Sequence, residues 1–240
     1  MALVNDQAIV LRSFPFGEAD RVVIMLSPNR GKLRTVAKGV RKTKSRFGGR
    51  LEPFTHVDVV LYEGRSLDTI TQVSVIEVFP RLRADLDRLM AAGAMAEVAD
   101  IVAQEDESSV RLFLLMLRGL KALEMDRPFH PDFVTAFRLK AAGVVGMAPA
   151  LDACAGCGTA SGLTRFSFAE GGALCERCRT AGAYALRAGL VAYLAELVAA
   201  DLGALPSFDP SFGPEAQGVA RRFLEYHLER RLAGSGVVDV

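Results

Sequence analysis

The chain has 240 residues, half of them hydrophobic, and 29 Lys+Arg against 28 Asp+Glu, for a net charge of +1. That length allows one large domain or two to three small ones, with a sizeable core. No uncharged apolar run approaches the ~20 residues of a bilayer span, and Asp6 interrupts any N-terminal secretion signal, so a soluble cytoplasmic protein is expected.

The first 80 residues read as five short strands rich in Val, Ile, Leu and Thr: Gln7–Ser13, Arg21–Ser27, Lys32–Ala37, His56–Tyr62 and Asp68–Val78. "SPNRG" (Ser27–Gly31) is a tight turn, with Pro28 presetting φ and Gly31 free to take positive φ. "EGRS" (Glu63–Ser66) joins strands four and five. Five strands with one longer gap after the third suit a small closed barrel. An OB-fold has this layout, and an SH3-like barrel is the rival.

After Pro80 the period becomes helical. Leu86, Leu89, Met90, Ala94, Val98, Ile101 and Val102 mark a first helix. "EDESS" (Glu105–Ser109) ends it, with Ser108 placed to cap the next. That next helix carries Leu112–Leu117, apolar nearly all round, and is expected to be central. A third holds Phe133 and Phe137, and two more are expected at Ala183–Leu202 and Glu215–Leu232. The expected organisation is a barrel over 1–80 and a helical bundle over 81–240, with a module inserted at 150–182.

Charge is uneven along this plan. Residues 1–80 hold 12 basic and 8 acidic groups, residues 81–150 hold 9 and 10, and residues 151–240 hold 8 and 10. The window Arg30–Arg50 carries nine basic side chains and no acid: Arg30, Lys32, Arg34, Lys38, Arg41, Lys42, Lys44, Arg46 and Arg50. An acid-free run is not salt-bridge patterning and points to a polyanion. It spans the third strand and the connection after it, where OB-folds meet oligonucleotides. All nine are candidate nucleic-acid contacts, through phosphates and without sequence preference. Gly39, Gly48 and Gly49 let the backbone come close to a sugar-phosphate strand, and Phe47 is equally suited to stacking on a base or packing under its own loop.

Cys154, Cys157, Cys175 and Cys178 form two C-x2-C pairs separated by 17 residues. This is the spacing of a four-cysteine zinc site. Thr164–Leu174 between the pairs reads as a hairpin turning at Glu170–Gly172. Ferredoxin clusters use other spacings, a redox dithiol needs only one pair, and disulfides lack a secretory context. Zinc deaminases place H-x-E before P-C-x-x-C, whereas "HLE" (His227–Glu229) follows the cysteines here. Four thiolates leave no open coordination position, so the zinc is expected to be structural, one ion per chain.

No catalytic pattern emerges. There is no phosphate-binding G-x4-G-K-[ST], and His56, His130 and His227 have no visible acid–base partners. His56, at the start of a strand, reads as a surface residue. A zinc-containing OB-fold RNA-binding factor or nucleic-acid enzyme is the alternative to a non-enzymatic DNA-binding protein.

The stretch "GEADRVVIMLSPNRGKLRTVAKGVRKTKSRFGGRLEPF" (Gly17–Phe54) resembles the N-terminal region of the bacterial RecO family of recombination and repair proteins. "FRLKAAGVVGMAPALDACAGCG" (Phe137–Gly158) resembles the same family's later "F-x-L-K … C-x-x-C" region, with "KAA" (Lys140–Ala142) departing from the usual bulky pair after the Lys. The resemblance implies an α+β multidomain protein: an N-terminal five-stranded OB-fold barrel, then an α-helical bundle with an embedded four-cysteine zinc module. It implies binding of single- and double-stranded DNA, annealing of complementary strands, and help in loading the RecA recombinase onto DNA coated by single-strand-binding protein. The implied partners are RecR and the C-terminal tail of single-strand-binding protein, with no membrane, no nucleotide cofactor and no enzymatic activity. The implied location is cytoplasmic, at the bacterial nucleoid. Arg138 and Lys140 are candidates for the rim of the tail-binding pocket.

Overall fold

The computed structural model describes residues 2–41, 45 and 47–232. The chain divides into two compact units after Asp126.

The first unit opens with β1 (Leu3–Phe16), β2 (Asp20–Ser27), β3 (Gly31–Ala37), β4 (His56–Tyr62) and β5 (Asp68–Glu77). All five expected strands form, and β1 runs longer than expected at both ends. They close into a barrel in the order β1-β2-β3-β5-β4, with β4 returning to β1. Every pairing is antiparallel except β3 with β5. Closure follows from the alternation of the strands. Val10, Val23, Met25, Leu33, Val57, Val59, Leu61 and Ile70 point inward and bury one another.

The β2–β3 turn is locked from below. Ser27 Oγ donates to Asp6 and accepts the N–H groups of Asn29 (3.1 Å) and Arg30 (3.0 Å), while Asn29 Nδ2 donates to Asp6 Oδ1 at 2.7 Å. Gly31 takes φ +63, and a Cβ there would lie 2.4 Å from the carbonyl oxygens of both Gln104 and Glu107. Only glycine lets the turn accept the 104–109 segment this closely.

Three helices complete the unit: α1 (Pro80–Ala84), α2 (Leu86–Val102) and α3 (Val110–Glu124). Asp85 caps α2 by accepting the Arg88 N–H at 3.1 Å. Ser108 does not cap α3; its hydroxyl donates to Pro28 O at 3.1 Å, and the residue preceding the helix is Ser109. Nor is α3 buried all round. Leu112, Phe113, Met116, Leu120 and Leu123 are buried, but Leu114 is 42% exposed. A run of consecutive leucines must place one on each side of a helix, so the outward one meets solvent. By compactness α1–α3 belong with the barrel, although the period changes at residue 80.

The second unit contains α4 (Phe133–Val144), β6 (Leu163–Ser167), β7 (Gly172–Cys175), β8 (Tyr184–Ala185), α5 (Leu190–Ala199) and α6 (Gly213–Leu228). The three strands form a sheet in the order β7-β6-β8. The expected hairpin is β6–β7, turning at Phe168–Gly171. The helix expected from Ala183 begins only at Leu190, because Tyr184 and Ala185 pair with β6 and Gly189 turns the chain at φ +87. Ala-rich sequence favours helix there, and tertiary pairing overrides it. Among the described residues no helix is long and apolar enough to cross a membrane.

Candidate nucleic-acid interface and metal centre

The basic window divides into two halves of different character. In the first half, carboxylates from elsewhere in the unit meet the charges. Arg30 Nη1 lies 2.9 Å from Asp68 Oδ2 and its Nη2 lies 2.9 Å from Asp106 Oδ1. Lys32 Nζ sits 3.4 Å from Asp100, which also holds Arg12 Nε at 2.8 Å. Arg34 has a longer pair, 3.8 Å to Glu105, with both side chains about half exposed. The run is acid-free along the sequence but not in space. β5 and the end of α2 with its following loop bring Asp68, Asp100, Glu105 and Asp106 onto β3, and no local signal announces them.

The second half is different. Lys38, Arg41 and Arg50 are exposed, the last on a single 3-10 turn, Gly48–Leu51. Lys38 and Arg41 have no acidic partner among the described residues. The Arg41 guanidinium rests on Gly17 O at 3.4 Å, which leaves its charge uncompensated. Lys42, Lys44 and Arg46 lie outside the described residues. Phe47 is 1% exposed and packs into the barrel core, so its ring is not presented to a base.

The four cysteines come together. Their sulfurs all lie within 4.8 Å of one another, with Cys157 Sγ 3.8 Å from Cys175 Sγ. A tetrahedral ion with metal–sulfur bonds of about 2.3 Å needs sulfur–sulfur edges of about 3.8 Å. Gly158, at φ +75, turns the first knuckle, and its N–H closes on Cys154 O at 2.8 Å. A Cβ on Gly156 would lie 3.2 Å from Cys178 Sγ, so the two knuckles approach closely because that position has no side chain.

The Cys175 N–H donates to Cys154 Sγ at 3.3 Å, and together with the N–H groups of Cys157 and Gly156 it brings the Cys154 thiol down to about 6. The sulfurs of Cys157 and Cys175 push the Cys178 thiol up to about 12. Four sulfurs this close cannot all ionise beside one another unless a cation sits among them. The donor set therefore fits a metal ion held by thiolates. Arg165 on β6 clamps the second knuckle through Glu176, at 2.9 and 3.1 Å.

Arg138 and Lys140, candidates for a pocket rim, are both drawn into the unit. Arg138 is buried, and Lys140 Nζ donates to Val198 O at 2.5 Å and Ala200 O at 2.6 Å, capping the C-terminal end of α5. Burial pulls the Lys140 ammonium below its ordinary pKa. His56 is not on the surface either. It is 5% exposed, with its ring edge-on to Phe113 at 5.6 Å.

Similarity to known proteins extends over nearly the whole chain. A family model described as recombination protein O N terminal matches residues 1–79, and one described as recombination protein O C terminal matches residues 83–235. Their junction falls where strand gives way to helix. The chain is 43% identical over 242 residues to a DNA repair protein RecO of Nocardioides sp., covering 99% of both chains. It is 43% identical over 235 residues to that of Frankia casuarinae, covering 97% of this chain and 96% of the other. It is 38% identical over 241 residues to that of Thermobifida fusca, covering 100% and 99%. Two family models that together span nearly the whole sequence, and full-length relatives at this identity, make the chain a member of the recombination protein O family.

Proposed function

We propose that this protein is a non-enzymatic mediator of DNA repair and recombination that binds single- and double-stranded DNA and anneals complementary strands. The observation that carries the reading is the exposed half of the basic window. Lys38, Arg41 and Arg50 follow β3 of a closed five-stranded barrel, in a chain whose relatives are named DNA repair proteins. The closed barrel with order β1-β2-β3-β5-β4 supports an OB-fold reading, in which the face of strands two and three meets oligonucleotides.

Annealing makes and breaks no covalent bond. Two polyanions must approach against their repulsion, and a cationic surface lowers that barrier while base pairing supplies the specificity. In this reading Lys38, Arg41 and Arg50, with Lys42, Lys44 and Arg46 from the same connection, face the phosphates. Arg30 and Lys32 hold the barrel to the 100–106 region, and Arg34, in its long exposed pair, remains available to DNA. Family membership supports the wider role: loading of RecA onto DNA coated by single-strand-binding protein, with RecR and the tail of single-strand-binding protein as partners, in the cytoplasm at the nucleoid. The four cysteines hold one zinc ion. When bound it supplies a cross-link between the two knuckles, and four sulfur ligands leave no position for water.

Fluorescence anisotropy with labelled oligonucleotides across a salt series tests the reading. Lys38→Ala with Arg41→Ala should weaken binding and lower the salt slope by about 1.4 on single strands and about 1.8 on duplex. Lys32→Ala should leave the slope unchanged. Full affinity and slope in the Lys38/Arg41 variant overturns the assignment. Metal-dependent turnover of nucleic acid would favour an enzyme instead.

A further inference from the structure

The stretch "RSFPFGEAD" (Arg12–Asp20) places two phenylalanines one residue apart, just before a turn. The barrel does not bury them. β1 pairs with β4 over Leu3–Ile9 and with β2 over Ile9–Phe16, and β2 pairs with β3 on its other side, so Arg12–Phe16 form the outer strand of a three-stranded arm beyond the β4 contact. Side chains two apart share a face of a strand, so Arg12, Phe14 and Phe16 stand on one side. Phe14 is 39% and Phe16 50% exposed, and the Arg12 guanidinium lies 5.6 Å from the Phe14 ring centroid.

The basic connection after β3 returns to this arm. The Gly39 N–H donates to Asp20 Oδ1 at 2.7 Å, the Arg41 N–H to Ala19 O at 2.9 Å, and the Arg41 guanidinium to Gly17 O at 3.4 Å. The segment that carries Lys38 and Arg41, cations with no acidic partner among the described residues, is therefore tied to the turn that directly follows the two exposed rings. Glu18 is the one exposed carboxylate at the tip; Asp20 is engaged by Gly39.

We propose that Phe14 and Phe16 are a stacking platform for the bases of single-stranded DNA, with Lys38 and Arg41 holding the adjoining phosphates. The occupant follows from the chemistry. Cations call for a polyanion, and exposed rings call for planar apolar faces on that same polyanion. A duplex hides its base faces in the stack, so the platform engages unpaired strands only. It holds a base splayed from its neighbours, ready to meet a complement. The inference rests on the DNA-binding reading above, and the probes below separate the two.

The test compares a thymine oligonucleotide, an abasic oligonucleotide of equal length and a duplex, each across the same salt series. Phe14→Ala with Phe16→Ala should lose about tenfold to a hundredfold in affinity for the thymine strand. The abasic strand and the duplex should bind as before, with the salt slope unchanged. Phe14→Leu with Phe16→Leu keeps the bulk and should lose in the same way, whereas Phe14→Tyr with Phe16→Tyr should bind like the parent. Equal losses on all three probes, or none on the thymine strand, overturn the platform. In the second case a parent that still binds all three keeps the DNA reading. A parent that binds none ends both. Loss of self-association by sedimentation in the alanine variant, with DNA affinity intact, assigns the rings to a second copy of the chain and overturns the proposal.

Discussion

The barrel of the first unit and the cysteine module of the second are both small β-structures, held together by different means. The barrel buries Val10, Val23, Met25, Leu33, Phe47, Leu51, Val57, Val59, Leu61 and Ile70 in one cluster. Each such side chain contributes roughly 1.5–3 kcal/mol when fully buried. The corresponding cluster of the module is Cys154, Leu174 and Cys175, with Leu163, Cys178 and Ala183 only partly covered. Phe166 seats the hairpin on Phe223, but Leu174 alone cannot offset the entropy of ordering the two knuckles, so cross-linking must do there what burial does in the barrel. The contrast separates a region that folds by hydrophobic closure from one that folds by coordination.

The largest expected effect breaks that contrast at its weak side. Cys154→Ser, or a strong chelator, should strip hydrogen-exchange protection from β6 and β7 while β1–β5 keep theirs. The parent should carry one zinc per chain by elemental analysis, and the variant much less. Full protection of β6 and β7 without metal would show that packing, not coordination, holds the module.

A smaller effect sharpens the barrel side. Arg30 bridges Asp68 on β5 and Asp106 beyond α2, and its side chain is 24% exposed. Arg30→Ala leaves two carboxylates without their cation and should cost about 1–2 kcal/mol by denaturant titration. It should leave the salt dependence of DNA binding alone. A fall in salt slope with unchanged stability would move Arg30 to the DNA-facing group.

How far the sequence carries depends on whether a signal is local. Strand alternation and the two C-x2-C pairs are local, and they lead directly to β1–β5 and to the sulfur cluster. The partners of Arg30 and Lys32 are not local. Asp68, Asp100 and Asp106 lie far along the chain, and only folding reveals that Arg30 and Lys32 are compensated. Phe47 fails for the same reason, since a ring in a glycine-rich loop reads alike whether it turns in or out. Phe14 and Phe16 lie past the expected strand Gln7–Ser13, and only the register with β2 and β4 shows that they extend β1 beyond its contact with β4. Ser108 and the start of α5 were misplaced because capping and helix propensities yielded to contacts with Pro28 and β6.

The smallest effect distinguishes the two regions by their response to acid. His56 is the only histidine in residues 1–126. Burial holds its pKa below the ordinary value of 6.5; Glu77 and Asp58 oppose that shift, and Lys121, which itself pairs with Glu77 at 3.2 Å, adds to it. The folded barrel therefore keeps His56 neutral where the unfolded chain would protonate it. Its contribution to stability is complete above pH 6.5 and is lost as pH falls through the lowered folded value. Urea titrations of the first unit's amides at a series of pH values from 7.5 downward should show this decline. His56→Phe, which keeps an aromatic edge against Phe113, should flatten it. An unchanged slope in that variant would remove His56 as the source of the acid sensitivity.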